Sequence, residues 1–210
     1  VAAGGENIQE GFTGAASEAE IAVVKLKEAK DYLRKFYGIR QKAVCYQETD
    51  IVQGLRYLHL LALKKQKPLV MCVALGTNLG GHNGMSSLSR ILGSYSRLVD
   101  RCVVIGGGNE ANERHHFQGK LNQVGEVQEV EMRVESGNTG FVAELWGTIP
   151  NIVTAYLISP SGERSPVISI RQGSRYQLTF PFEQTVVDVE YQLFLRDGRS
   201  QLLFLKFDHP

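Results

Sequence analysis

Up to about Gln118 the chain alternates short apolar runs with stretches of helical period. Ile21-Ala-Val-Val-Lys-Leu26 has strand length, and Glu28 to Tyr37 reads as a charged amphipathic helix. Thr49 or Asp50 is expected to cap a longer helix through about Lys65, with Ile51, Leu55, Leu58 and Ala62 on one face and Pro68 as its stop. Leu69 to Leu75 is a nearly continuous apolar strand, as befits a parallel sheet covered on both faces. Ser87 opens another helix through about Val99, and Cys102 to Ile105 forms the next strand. Strand and helix alternating in this order predict an α/β unit with a mostly parallel sheet and flanking helices.

From about Gly125 the period changes to two. Val127–Val134, Phe141–Trp146, Thr154–Ile158, Arg175–Phe180, Val186–Phe194 and Leu202–Phe207 are strand-length and rich in β-branched or aromatic residues. Ser136-Gly-Asn, Pro160-Ser-Gly and Asp197-Gly supply turns between them. Strands without intervening helices predict an all-β sandwich of jelly-roll type. Its inward positions should include Val130, Met132, Val134, Phe141, Leu145, Val153, Leu157, Val187, Val189, Tyr191 and Leu203. The predicted organisation is an α/β domain over 1–120 and a β-sandwich over 125–210, joined near Gly119 to Gly125.

Composition narrows the function. With 23 basic against 22 acidic residues, no electrostatic footprint for nucleic acid or an anionic membrane surface emerges. No apolar run approaches the length of a membrane span. Three cysteines, Cys45, Cys72 and Cys102, lie far apart without CxxC spacing, which argues against a disulfide framework or zinc site and for buried free thiols. Val1-Ala-Ala-Gly-Gly5 has no initiating Met, basic region or apolar core of a signal peptide.

The densest chemistry sits in Cys102-Val-Val-Ile-Gly-Gly-Gly-Asn-Glu110, where an apolar strand runs into three glycines and then a side-chain amide. Glycines remove the Cβ atoms that would block a substrate backbone. An Asn amide can donate to an oxyanion, a role worth about 3 kcal/mol of transition-state stabilisation. A strand ending in a tight turn accounts for this segment equally well.

Four segments, in order, resemble subtilisin-like serine peptidases. Gly14 to Leu26 is similar to the family's GVAPxA…VK strand; Val44-Cys45-Tyr46 resembles its substrate-pairing edge strand. Ala74-Leu75-Gly76 looks like the SLG wall of the primary specificity pocket, and Gly106-Gly107-Gly108-Asn109-Glu110 like AAGNE, whose Asn is the side-chain oxyanion donor. Tyr46-Gln-Glu-Thr-Asp50, Gly81-His-Asn-Gly84 and His115-His116 are similar to a clostridial germination-protease-like branch that inserts a jelly roll after that Asn. The resemblance implies a middle fragment. Catalytic Asp and His motifs would precede Val1, the nucleophile motif GTSMA would follow Pro210, and the fragment alone would be inactive. It implies a peptide or protein substrate, no cofactor and no metal, and a bacterial location, cytoplasmic or spore-associated rather than classically secreted. Unpaired sheet edges would favour self-association. A non-catalytic pseudopeptidase or a binding module stays open beside the peptidase.

Other features have simpler readings. Ser86 and Ser87 in Gly84-Met-Ser-Ser-Leu88 suit helix caps better than a nucleophile. His82, His115 and His116 lack the companions of a zinc shell and suit a surface loop or contacts to the β half. Gly106, Gly108 and Ala111 match a degenerate dinucleotide fingerprint, but no amphipathic helix follows. Trp146 is expected in or beside a core rather than as a sugar platform.

Overall fold

The computed structural model describes residues 2–7, 9–40, 42–110, 112–194 and 199–209. Val1, Ala111, the Asp197-Gly turn and Pro210 lie outside the described residues. The elements are α1 (Asp31–Phe36), α2 (Glu48–Lys65), β1 (Leu69–Val73), α3 (Ser87–Ser96), β2 (Arg101–Ile105), β3 (Gly140–Thr148), β4 (Arg175–Phe180), β5 (Thr185–Phe194) and β6 (Ser200–Asp208).

β1 and β2 pair in parallel, with Val70 opposite Cys102 and Val73 opposite Ile105. Leu55 of α2 and Leu92 of α3 pack on Met71 and Val73, so both helices cover one face of this pair. The other face is open. Val70 is 67% exposed and Val104 50%, and Cys72 and Cys102 beside them are exposed as well. The expectations of a doubly covered sheet and of buried thiols are therefore corrected: among the described residues the parallel sheet has two strands and one helical layer.

Local chemistry explains most element ends. α2 begins after Gln47, whose side chain makes no cap bond, so neither Thr49 nor Asp50 is the cap. Gln66, left-handed at φ 55°, terminates it two residues before Pro68. Ser86 does cap α3, accepting from the Ser89 amide at 3.1 Å. Two further expectations fail. The helix foreseen over Glu28 to Tyr37 shrinks to α1. Ile21 to Leu26 forms no ladder. It lies extended across α2, where Gly54 leaves room for Val24, while Ile21 and Val23 face solvent.

The second half forms one antiparallel sheet ordered β3-β6-β5-β4. Period two turns Val187, Val189 and Tyr191 of β5 and Leu203 and Leu205 of β6 to one face, where Phe180 and Ile168 complete a buried cluster. Among the described residues that face is backed by an irregular segment rather than a second sheet. The Ile168 amide bonds the Ala155 carbonyl at 2.8 Å and the Ser165 amide bonds Leu157 at 2.9 Å. Gln201 anchors the same segment, accepting from the Tyr191 hydroxyl at 3.0 Å and donating to the Asn151 carbonyl at 2.7 Å. Thr154 to Ile158 is thus not a strand, and neither is Val127 to Val134, whose Val130, Met132 and Val134 are exposed rather than inward. Leu145 is also exposed, while Phe141, Val153 and Leu157 are half-buried. The result is mixed α/β with two separate sheets.

The two parts meet along the other face of the antiparallel sheet. Phe36 of α1 stacks on Phe204 of β6, with ring centroids 5.7 Å apart. Trp146 lies against Gly81 and stacks on Phe194. The Asn83 amide donates to Ser200 Oγ at 3.2 Å.

Candidate functional site

The in-register pairing of β1 and β2 decides what their ends can build. Both strands exit at the same level, and the Gly106 amide adds one more bond, to the Val73 carbonyl at 3.1 Å. Ala74-Leu75-Gly76 and Gly106-Gly107-Gly108 therefore leave the sheet side by side. Gly108 takes φ +82°, a left-handed turn open to glycine, and the exposed Asn109 follows it. Cβ atoms on Gly76, Gly107 or Gly108 would meet no neighbour within 4 Å, so the space above this rim is free.

Val44-Cys45-Tyr46 leads into α2, which starts two residues after Tyr46. The Cys45 carbonyl accepts from the Ala29 amide at 2.8 Å, and Glu28 bridges Tyr46. Alternation then turns the main-chain groups of Val44 and Tyr46 to the opposite, unpaired side. Arg34 holds this corner. Its buried guanidinium donates to the carbonyls of Ala29 (3.2 Å) and Ala43 (2.7 Å) and to Glu28 Oε2 (2.8 Å). Sequence reading missed Arg34, which stood there only as one more basic residue of the charged helix foreseen over Glu28 to Tyr37.

It also missed a polar cluster joining the two glycine-bearing loops. Glu110 Oε2 accepts from Asn78 Nδ2 at 2.8 Å and lies 3.2 Å from His115 Nδ1. Those bonds, the Asn78 one first, hold the Glu110 carboxyl below its ordinary range. The His82 and His116 rings stack with centroids 4.4 Å apart. These histidines thus tie loop to loop rather than loop to the antiparallel sheet. Among the described residues no group of three or more His, Cys, Asp or Glu is placed to hold a metal ion.

A cleft of about 360 Å³ lies elsewhere, between Phe36 and the sheet residues Gln177, Glu190, Phe204 and Lys206. Its charges are paired, Arg175 with Glu190 at 2.8 Å and Lys206 with Asp188 at 3.8 Å, which leaves little to recognise a polar ligand. The rim around Asn109 is the better candidate, since it combines open space above Gly76, Gly107 and Gly108 with an exposed side-chain amide.

No family model matches the chain, and no curated protein does. Among solved structures, the CspB protease of Clostridium perfringens shares the fold, with a TM-score of 0.76 and 22% sequence identity. The match covers 98% of this chain and 40% of that one, so this chain spans well under half the length of the protease it resembles. No helix among the described residues is long and apolar enough to cross a membrane.

Proposed function

We propose that this chain is the part of a subtilisin-like serine endopeptidase that supplies the oxyanion donor and the walls of the substrate cleft. The catalytic Asp, His and Ser would come from sequence on either side. The observation that carries the reading is the juxtaposition of Ala74–Gly76 and Gly106–Asn109 at one rim of a parallel strand pair. The shared fold with part of a protease supports it.

In this reading a serine outside the chain attacks a peptide carbonyl, with His as general base and Asp orienting it. Asn109 Nδ2 donates to the oxygen as negative charge develops there. Gly107 and Gly108 flank the side chain preceding the scissile bond, opposite Ala74 to Gly76. An extended peptide or protein substrate lies between Val44 to Tyr46 and Leu75-Gly76, adding itself as a strand to both. The antiparallel part is then a module inserted where the resembled branch carries a jelly roll, with one sheet among the described residues. The division at 120 and 125 belongs to this reading.

The test is to express the chain within its own longer polypeptide. Serine-directed phosphonate labelling and peptide turnover are then measured for the longer protein and for these residues alone. The longer protein should label and turn over; the 210-residue chain should do neither. Stoichiometric labelling at Ser86 or Ser87 would overturn the assignment. A longer protein that binds peptide without cleaving it would mark a pseudopeptidase.

A further inference from the structure

Loop Thr77–Asn83 continues directly from Ala74–Gly76, and it is held from two sides. On one side stands the antiparallel sheet. Glu144 of β3 receives the Gly80 amide and the Trp146 indole N–H on the same oxygen, Oε2, each at 2.8 Å. Trp146 packs so closely that a Cβ on Gly81 would sit 3.2 Å from its ring. Asn83 adds its bond to Ser200 of β6. On the other side stands the loop that carries Asn109. Asn78 donates to Glu110, the residue next to Asn109, and His82, on the Asn78 carbonyl at 3.2 Å, stacks on His116.

We propose that loop Thr77–Asn83 couples the antiparallel sheet to the candidate oxyanion donor: Glu144 sets the loop through Gly80, and Asn78 passes that setting to Asn109 through Glu110. Glu144 and Asn78 are positioning residues, because they act through other groups.

The physical argument rests on what each contact replaces. Gly80 adopts φ +102°, and its amide is bonded by the half-buried Glu144 carboxylate rather than by a main-chain carbonyl. A charged acceptor on a backbone amide is among the stronger hydrogen bonds. The oxygen is shared with an indole that also packs on Gly81, so the carboxylate, ring and loop form one unit. Asn109 itself follows the left-handed Gly108 and stands exposed, and the fixed point beside it is Glu110. Moving the loop therefore moves the anchor of the oxyanion donor. A 1 Å misplacement of such a donor is enough to cost about 100-fold in rate. This part rests on the proposed peptidase function, but the coupling itself does not.

Amide hydrogen exchange on this chain within its longer polypeptide reads the coupling without any activity. In Glu144→Ala, peptides spanning 77–83 and 106–110 should both exchange about five-fold faster, with 69–73 and 101–105 unchanged. Glu144→Gln, which keeps an acceptor at that position, should restore the slower exchange. Asn78→Ala, at an exposed site that leaves the fold intact, should free 106–110 while Gly80 stays protected. Faster exchange in 77–83 alone after Glu144→Ala, or no effect of Asn78→Ala on 106–110, would overturn the proposal. In the longer polypeptide, Glu144→Ala should lower kcat with KM little changed, and Glu144→Gln should recover it. Absent turnover with the exchange pattern intact would sink the peptidase reading and leave the coupling standing.

Discussion

Arg34 illustrates how one side chain organises a corner that looks loop-like in sequence. Its guanidinium satisfies two carbonyls and pairs with Glu28, all within residues that make only an isolated bridge. Arg34→Met keeps the buried stem but strands those acceptors. It should lower stability by about 2–3 kcal/mol in a denaturant melt, and an unchanged midpoint would contradict the role assigned here. Glu20 makes a complementary case at the surface. It bonds Lys65 at 2.5 Å and also Lys67, and these lysines lower its pKa to about 2 from 4.5. A carboxylate with a depressed folded pKa stabilises above its unfolded value and loses that contribution as pH falls through the folded one. The tie between the extended 14–27 segment and the end of α2 should therefore persist at pH 5 and weaken between about 4.5 and 2. A Glu20 carboxyl titrating near 4.5 by NMR would show that the pair does not form in solution.

At the scale of elements, legibility followed locality. The apolar runs of β1 and β2, the 3.6 period of α2 and the Ser86 cap of α3 depend on neighbours within a few residues, and all were readable. Ile21 to Leu26 and Val127 to Val134 have strand composition too, but a strand exists only where a partner edge meets it. Neither segment finds one here. The rim was legible in part. The residue types of Asn109 and its glycines announced an open, exposed turn. The Asn78–Glu110–His115 cluster joins positions 32 and 37 residues apart, and no spacing rule finds it. Two element-scale outcomes are expected. Ser86→Ala should cost about 1 kcal/mol by leaving the Ser89 amide without its acceptor, read from a thermal melt. Leu203→Ala, in the core of the antiparallel sheet, should cost about 2–5 kcal/mol.

For the molecule as a whole, the open face of β1 and β2 and the unpaired 127–134 segment leave apolar surface exposed. Val70, Val104, Val130, Met132 and Val134 all contribute. Isolated, the 210-residue chain should self-associate with rising concentration, and sedimentation that stays monomeric across the range would count against that expectation. In the proposed function the glycine rim is built around an oxyanion donor, and the steady-state kinetics of Asn109→Ala in the longer polypeptide test that role. The substitution should lower kcat by about 100-fold or more with KM little changed, because the amide bonds only the charge that develops in the transition state. A kcat equal to wild type would contradict it.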